Sequence, residues 1–169
     1  MLIGDKSRFA IEYELDETDL SPAATVRWLY GRICWWARGE RLGAYAEHET
    51  TGEIAGALRF ILKDEGKRFS RELFQMPCED ALVLIVRALY LDDGQSGEQV
   101  AKDARQFSRF YITPGSDVFD GWRIVLIEGE RSAKLIWRLQ DYGAVQESIL
   151  ELGEFERVAR DYLKSLPRP

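Results

Sequence analysis

The chain has 169 residues, 46% hydrophobic and 31% charged, and its 29 acidic residues outnumber 23 basic ones to give a net charge of −6. This length and composition are typical of a soluble globular protein with its own core, and we expect a single domain over residues 1–169. The acidic balance argues against nucleic-acid binding, which depends on Lys and Arg beside phosphates. It is compatible with a basic protein partner.

The sequence shows no membrane or export segment. The N-terminus is charged from Asp5 onward, and no apolar run approaches the roughly 18 residues that would cross a bilayer. Cys34 and Cys78 each lie beside apolar residues, which is typical of buried free thiols. We therefore expect a cytoplasmic protein that does not bind a membrane.

The first 50 residues have the pattern of strands. Apolar and polar side chains alternate over residues 8–15, which predicts a strand that is wet on one face. Residues 16–23 are polar and contain a proline, which predicts a loop. Residues 26–46 are rich in aromatic side chains and are interrupted by Gly39-Glu40, which predicts a hairpin.

Two helices are predicted next. The apolar spacing over residues 53–65 indicates an amphipathic helix, with Thr50 and Glu53 capping its start reciprocally. Pro77 is a favourable first residue for a second helix. Residues 81–91 are apolar nearly all round, which predicts that this second helix is deeply buried.

The second half of the chain returns to strands. Residues 92–98 are polar and predict an exposed loop, and residues 106–113 predict a strand. Residues 144–152 predict the last strand, and apolar residues at helical spacing over 155–166 predict a C-terminal helix. Residues 67–76 carry no assignable pattern. The fold class predicted is α+β: mainly an antiparallel sheet of about six strands with two or three helices packed on it.

Residues 121–140 predict the hairpin around which the fold is organised. Two apolar runs, over residues 122–127 and 133–139, are separated by a polar break that contains Gly129. In such hairpins a glycine supplies the unusual backbone angles of the turn. We expect this hairpin to lie mid-sheet and to anchor the core.

A search for catalytic or metal-binding patterns finds none that is specific. His48, the only histidine, lies in a charged segment without a nucleophile motif, and its spacing from the two cysteines is not that of a metal site. We therefore predict no catalytic residue, no cofactor and no metal. Three pairs of carboxylates leave open a small carboxylate-dependent hydrolase or nuclease. These pairs are Asp92/Asp93, Glu128/Glu130 and Glu151/Glu154.

A third class is a structural or regulatory subunit that associates with itself. Trp28, Trp35 and Trp36 lie so close in the sequence that some aromatic surface could stay exposed. The oligomeric state is left open by the sequence.

Several segments, spread over the whole chain and in the same order, resemble the immunity protein 42 family of bacterial polymorphic-toxin systems. They are Ile3 to Ile11, Asp117 to Trp122, Val125 to Glu128, Leu135 to Arg138, and Gly153 to Phe155. The resemblance implies an α+β cytoplasmic protein that binds and blocks one cognate toxin domain encoded beside it. The resemblance assigns no toxin-binding residue to this chain.

Exposed acidic residues on loops are where we expect the partner to bind, since loops on a rigid sheet readily carry specificity. The predicted contacts are Asp92, Asp93, Glu98, Asp117 and Asp120. Such an acidic surface suits a basic partner, and a nuclease toxin is the partner we expect.

Overall fold

The computed structural model describes the chain except for residues 17–28, 47–48, 92–93, 141–142 and 168–169, and of Glu49 only the backbone. The chain divides into two compact units, and the single domain expected over residues 1–169 stays a prediction. The first unit comprises Met1–Lys63, Pro114–Asp120 and Gly153–Pro169, and the second comprises Asp64–Thr113 and Gly121–Leu152.

The described residues form eight strands in two antiparallel sheets. The strands are β1 (Leu2–Asp5), β2 (Phe9–Leu15), β3 (Tyr30–Ala37), β4 (Glu40–Leu42), β5 (Glu49–Thr50), β6 (Trp122–Glu128), β7 (Ser132–Leu139) and β8 (Gln146–Glu151). In the first unit the order is β1-β2-β3-β4, with β5 also paired to β3, and in the second it is β6-β7-β8. The α+β class and the antiparallel pairing are confirmed, with the strands shared between two sheets instead of one.

Five α-helices accompany the sheets in the described part of the chain. They are α1 (Thr51–Ile61), α2 (Arg71–Gln75), α3 (Cys78–Tyr90), α4 (Gly97–Phe107) and α5 (Glu154–Ser165). Short 3-10 turns lie at Leu62–Asp64, Ser108–Phe110 and Asp117–Phe119. No helix in these described ranges is both long and apolar enough to cross a membrane.

Aromatic rings form the core of the first unit. The Phe9 ring lies 5.7 Å from that of Trp35 and 5.1 Å from that of Phe155, and Phe119 lies 4.8 Å from Trp35. All four side chains are almost fully buried. Strand β3, which carries Trp35, is therefore held against residues from distant parts of the sequence.

Helix α3 packs on one face of the sheet in the second unit. Leu82 and Ile85 of the helix join Val125, Ile127 and Ile136 of the sheet in one cluster of buried residues. The hairpin predicted from the sequence is confirmed as β6 and β7. Its expected position in the middle of the sheet is right for β7 alone, because β6 is an edge strand of the described sheet.

Three predictions about local structure are wrong. Residues 106–113 do not form a strand: α4 continues through Phe107 into a 3-10 turn, and only Tyr111 bridges to Val125. Thr50 precedes α1, but its side chain makes no capping hydrogen bond. Gly129 does not adopt a positive φ. It is instead crowded, because a Cβ there would lie 3.0 Å from ring atoms of Phe74.

The predicted deep burial of the second helix is also wrong. In α3 only Ala81, Leu82 and Ile85 are buried, whereas Leu84 is 41% exposed and Tyr90 is 60% exposed. The helix covers the sheet with one face, so apolar side chains on its other face remain at the surface.

Candidate functional site

Two of the predicted contact residues lie at the ends of one turn in the first unit. Asp117 begins the 3-10 turn and Asp120 follows it, and both are exposed. Between them Val118 and Phe119 are 2% exposed, and the Val118 carbonyl accepts a hydrogen bond from the Ala44 amide at 3.0 Å. The turn thus exposes two carboxylates while its two middle side chains are buried.

Glu98 lies in the second unit, in the first turn of α4 and not in a loop. Its side chain is exposed. The preceding Ser96 caps the helix, its hydroxyl accepting from the Gln99 amide at 3.2 Å. A carboxylate suits this end of a helix, which carries partial positive charge. Asp92 and Asp93 lie outside the described residues.

A groove lined by arginines, which the sequence analysis missed, runs beside α3 in the second unit. Its cavity has a volume of about 320 Å³. We call it the arginine groove, and its lining residues are Val83, Val86, Arg87, Tyr90, Leu91, Arg123 and Arg138.

Two of these arginines face each other across neighbouring strands. Arg123 of β6 and Arg138 of β7 are direct cross-strand partners. Like charges placed directly opposite each other destabilise a sheet. Arg138, 7% exposed, donates from Nη1 to Oε1 of Glu79 at 3.5 Å, and the guanidinium carbon of Arg123 lies 5.8 Å from the centre of the Tyr90 ring.

Tyr90 brings an aromatic ring and a neutral hydroxyl to the groove. Its ring lies 5.2 Å from that of Tyr111. Desolvation, together with the charge and hydrogen bond of Tyr111, raises the pKa of Tyr90 to about 12, although Arg123 acts in the opposite direction. The hydroxyl of Tyr90 is therefore held in a hydrogen bond with Tyr111 beside the groove.

A second groove of about 420 Å³ lies on the opposite side of the exposed face of α3, toward α4. Val83, Arg87 and Leu91 line both grooves. The side chains that line or border them form a surface that we call the α3 ridge, in which Val83 is half-buried and the other residues are exposed. The α3 ridge consists of Val83, Leu84, Arg87, Tyr90 and Leu91.

The family model described as "Immunity protein 42" matches residues 1–165, nearly the whole chain. The chain belongs to the immunity protein 42 family. Immunity protein 42 members neutralise a cognate toxin and are not enzymes, so the function predicted from the resemblance is confirmed at that level.

One solved structure shares the fold of this immunity protein. The crystal structure of CdiI from Burkholderia dolosa AUO158 is 23% identical in sequence and superposes with a TM-score of 0.75. The match covers 98% of this chain and 100% of that one. No curated protein sequence matches the immunity protein.

The carboxylates considered for an enzyme do not form such a site in the described structure of the immunity protein. Glu128 is 9% exposed at the end of β6, and Glu130 forms an ion pair with Arg71. No group of three or more metal-ligating side chains occurs among the described residues. His48, Asp92 and Asp93 lie outside them.

Sequence patterns contained one signal for the arginine groove. Helix α3 carries more apolar residues than one buried face can use, and such an excess can mark a binding surface. The alignment of Arg123 with Arg138 depends on the hairpin register, which composition does not determine.

Proposed function

We propose that this immunity protein binds its toxin directly, in the cytoplasm of the producing cell, and covers the surface with which the toxin acts. The toxin would be a basic domain, such as a nuclease, encoded beside the immunity protein. The family match over residues 1–165 carries this proposal. The net charge of −6 supports a basic partner, because opposite charges accelerate encounter and improve complementarity.

The turn that begins at Asp117 is the contact we propose in the first unit. Its two carboxylates are exposed while Val118 and Phe119 are buried, so little backbone entropy would be lost when a partner binds. Two lysines or arginines of the toxin could each pair with one carboxylate. Glu98, Asp92 and Asp93 are further proposed contacts.

The test of the proposal is co-expression of the immunity protein with the C-terminal domain of the adjacent upstream gene product, followed by affinity purification. We expect a stable complex. For the turn, the double variant Asp117→Lys/Asp120→Lys should weaken the complex by about 10-fold or more, as expected for reversed charge pairs at an interface.

The matched control is Glu53→Lys/Asp161→Lys, two exposed acidic residues on helices of the same unit. Both double variants change the net charge from −6 to −2, since each replaces two negative charges by two positive ones. A loss of affinity confined to the turn variant supports the proposed contact. Equal losses of affinity in both double variants would instead indicate a general effect of net charge. Asp92→Lys/Asp93→Lys tests the second unit in the same way.

A further inference from the structure

We propose that the arginine groove binds a carboxylate-bearing segment of the toxin, and that the α3 ridge packs against apolar side chains next to that carboxylate. This inference rests on the proposed function, since it assigns a second contact to the same partner. The arginine groove lies in the second unit, whereas the acidic turn lies in the first.

The charge of the groove is opposite to that of the protein. Arg87, Arg123 and Arg138 line it, and the Glu79 carboxylate lies 3.5 Å from Nη1 of Arg138. The protein as a whole carries a net charge of −6. Three guanidinium groups around one cavity offer charged donors, which an acidic segment complements.

The geometry of the arginines suits a carboxylate. A guanidinium offers its donors as a planar fork that matches the two oxygens of a carboxylate. Arg123 and Arg138 are direct cross-strand partners, so a carboxylate between them can accept hydrogen bonds from both guanidinium groups. The cavity of about 320 Å³ is at the lower end of the range for ligand pockets and can hold a side chain.

The surroundings of the groove resemble the centre of a protein interface. Tyr90 is 60% exposed, and Leu84 and Leu91 are 41% and 43% exposed. Tyrosine and arginine are enriched among residues that dominate binding energy, particularly where apolar neighbours exclude water.

A protein segment fits this surface better than a nucleic-acid backbone does. Nucleic-acid sites follow a run of phosphates with many basic residues, whereas this groove is lined by three arginines and lies beside exposed leucines. The occupant of the groove is therefore an acidic toxin segment that also carries apolar residues.

Affinity for the co-expressed toxin domain, measured by calorimetry, tests the inference with three single variants. Arg87→Ala, Tyr90→Ala and Arg123→Gln should each weaken binding at least 10-fold, and the two arginine variants should also reduce the salt dependence of the affinity. Arg105→Ala and Val100→Ala, exposed positions on α4, are the matched controls and should change affinity less than 2-fold.

Arg123→Gln separates binding from folding. Its melting temperature is measured beside its affinity, because Arg123 also donates to the Trp122 carbonyl at 3.2 Å and lies over the Tyr90 ring. Loss of affinity at unchanged stability supports the groove as a binding site. If the parent protein binds the toxin and all three variants bind equally well, the groove inference is overturned and the proposed function stands. If the parent protein does not bind, the proposed function fails for that toxin.

A second measurement examines the groove without the toxin. In NMR spectra of the immunity protein, the blocked peptide Leu-Glu-Leu-Asp-Leu at millimolar concentration should shift the Arg123 Nε–H signal and amides of α3. The peptide with Gln and Asn in place of the acids should not. Equal shifts with both peptides, or none at Arg123, would overturn the inference. Tighter binding of a short RNA than of the acidic peptide would also overturn it.

Discussion

Arg8 and Glu154 are joined by two parallel hydrogen bonds within the first unit. Arg8 Nε donates to Glu154 Oε1 at 2.9 Å, and Arg8 Nη2 donates to Glu154 Oε2 at 2.5 Å. Glu154 begins α5 and is 4% exposed, while Arg8 lies in the turn between β1 and β2. This bidentate pair fixes the start of the C-terminal helix to the first hairpin.

Replacing Arg8 should destabilise the first unit. Arg8→Ala leaves the Glu154 carboxylate buried without its principal cation, and we expect the free energy of unfolding to fall by about 2 kcal/mol. This lies below the range for fully buried pairs because the Arg8 side chain is 40% exposed. Arg71→Ala is the control, since it breaks an exposed pair with Glu130 and should cost about 0.5 kcal/mol or less. Equal effects in urea unfolding would contradict the assignment.

Glu12 should make stability depend on pH. Hydrogen bonds from Lys6 at 2.7 Å and from Trp36 Nε1 at 2.8 Å outweigh desolvation and lower the pKa of Glu12. The stabilisation is therefore present above the unfolded-state pKa, near 4.5, and is lost as pH falls through the lowered folded-state pKa.

The variant Glu12→Gln isolates this effect. Its stability should be lower than that of the parent protein at pH 7, and the difference should shrink as pH falls from 5 toward 3. Urea unfolding across this range measures the difference, with Glu14→Gln, exposed on the same strand, as the control expected to change stability less. A Glu12→Gln deficit that does not vary with pH would contradict the role of ionised Glu12.

Gly129 should not tolerate a methyl group. An alanine Cβ there would lie 3.0 Å from three ring atoms of Phe74, and such overpacking typically costs about 1–3 kcal/mol. Gly56→Ala is the control, because that helical position has no atom within 4 Å of the new Cβ and should gain about 0.5–1 kcal/mol. Thermal unfolding measures both. Rescue of Gly129→Ala by Phe74→Leu would identify the ring as the cause.

The two thiols should differ in reactivity. Cys34 is fully buried, and desolvation, with the nearby charge of Glu12, raises the pKa of its thiol to about 12. Only a thiolate reacts readily, so a disulfide reagent at pH 8 should modify half-buried Cys78 first and Cys34 only as fast as the protein opens. Cys78→Ser should abolish the fast phase. A fast phase that survives in this variant would contradict the burial of Cys34.

The elements whose apolar residues recur at a regular spacing were predicted correctly from the sequence. The central hairpin, the strand containing Phe9 and the C-terminal helix all follow from residues that recur at a strand or helix spacing. The failures have a common cause. Residues 106–113 contain Phe107 and Phe110 at positions that suit either a strand or a helix end, and tertiary packing decided between them.

The candidate contacts were only partly accessible to sequence reasoning. Acidic residues of turns can be recognised locally, and Asp117 and Asp120 do occupy the exposed ends of one turn. The arginine groove could not be recognised in this way, because it joins Arg87 of a helix to Arg123 and Arg138 of two strands. These three arginines can be assigned to one groove only when the hairpin register and the packing of α3 are known.

The central claim is that this protein neutralises a toxin, and growth of cells that express the toxin domain tests it most directly. Expression of the C-terminal domain of the adjacent upstream gene product should arrest growth, and co-expression of the immunity protein should restore it. The Arg123→Gln variant should restore growth less well than Arg105→Ala. Continued arrest in the presence of well-folded immunity protein would contradict neutralisation of that toxin.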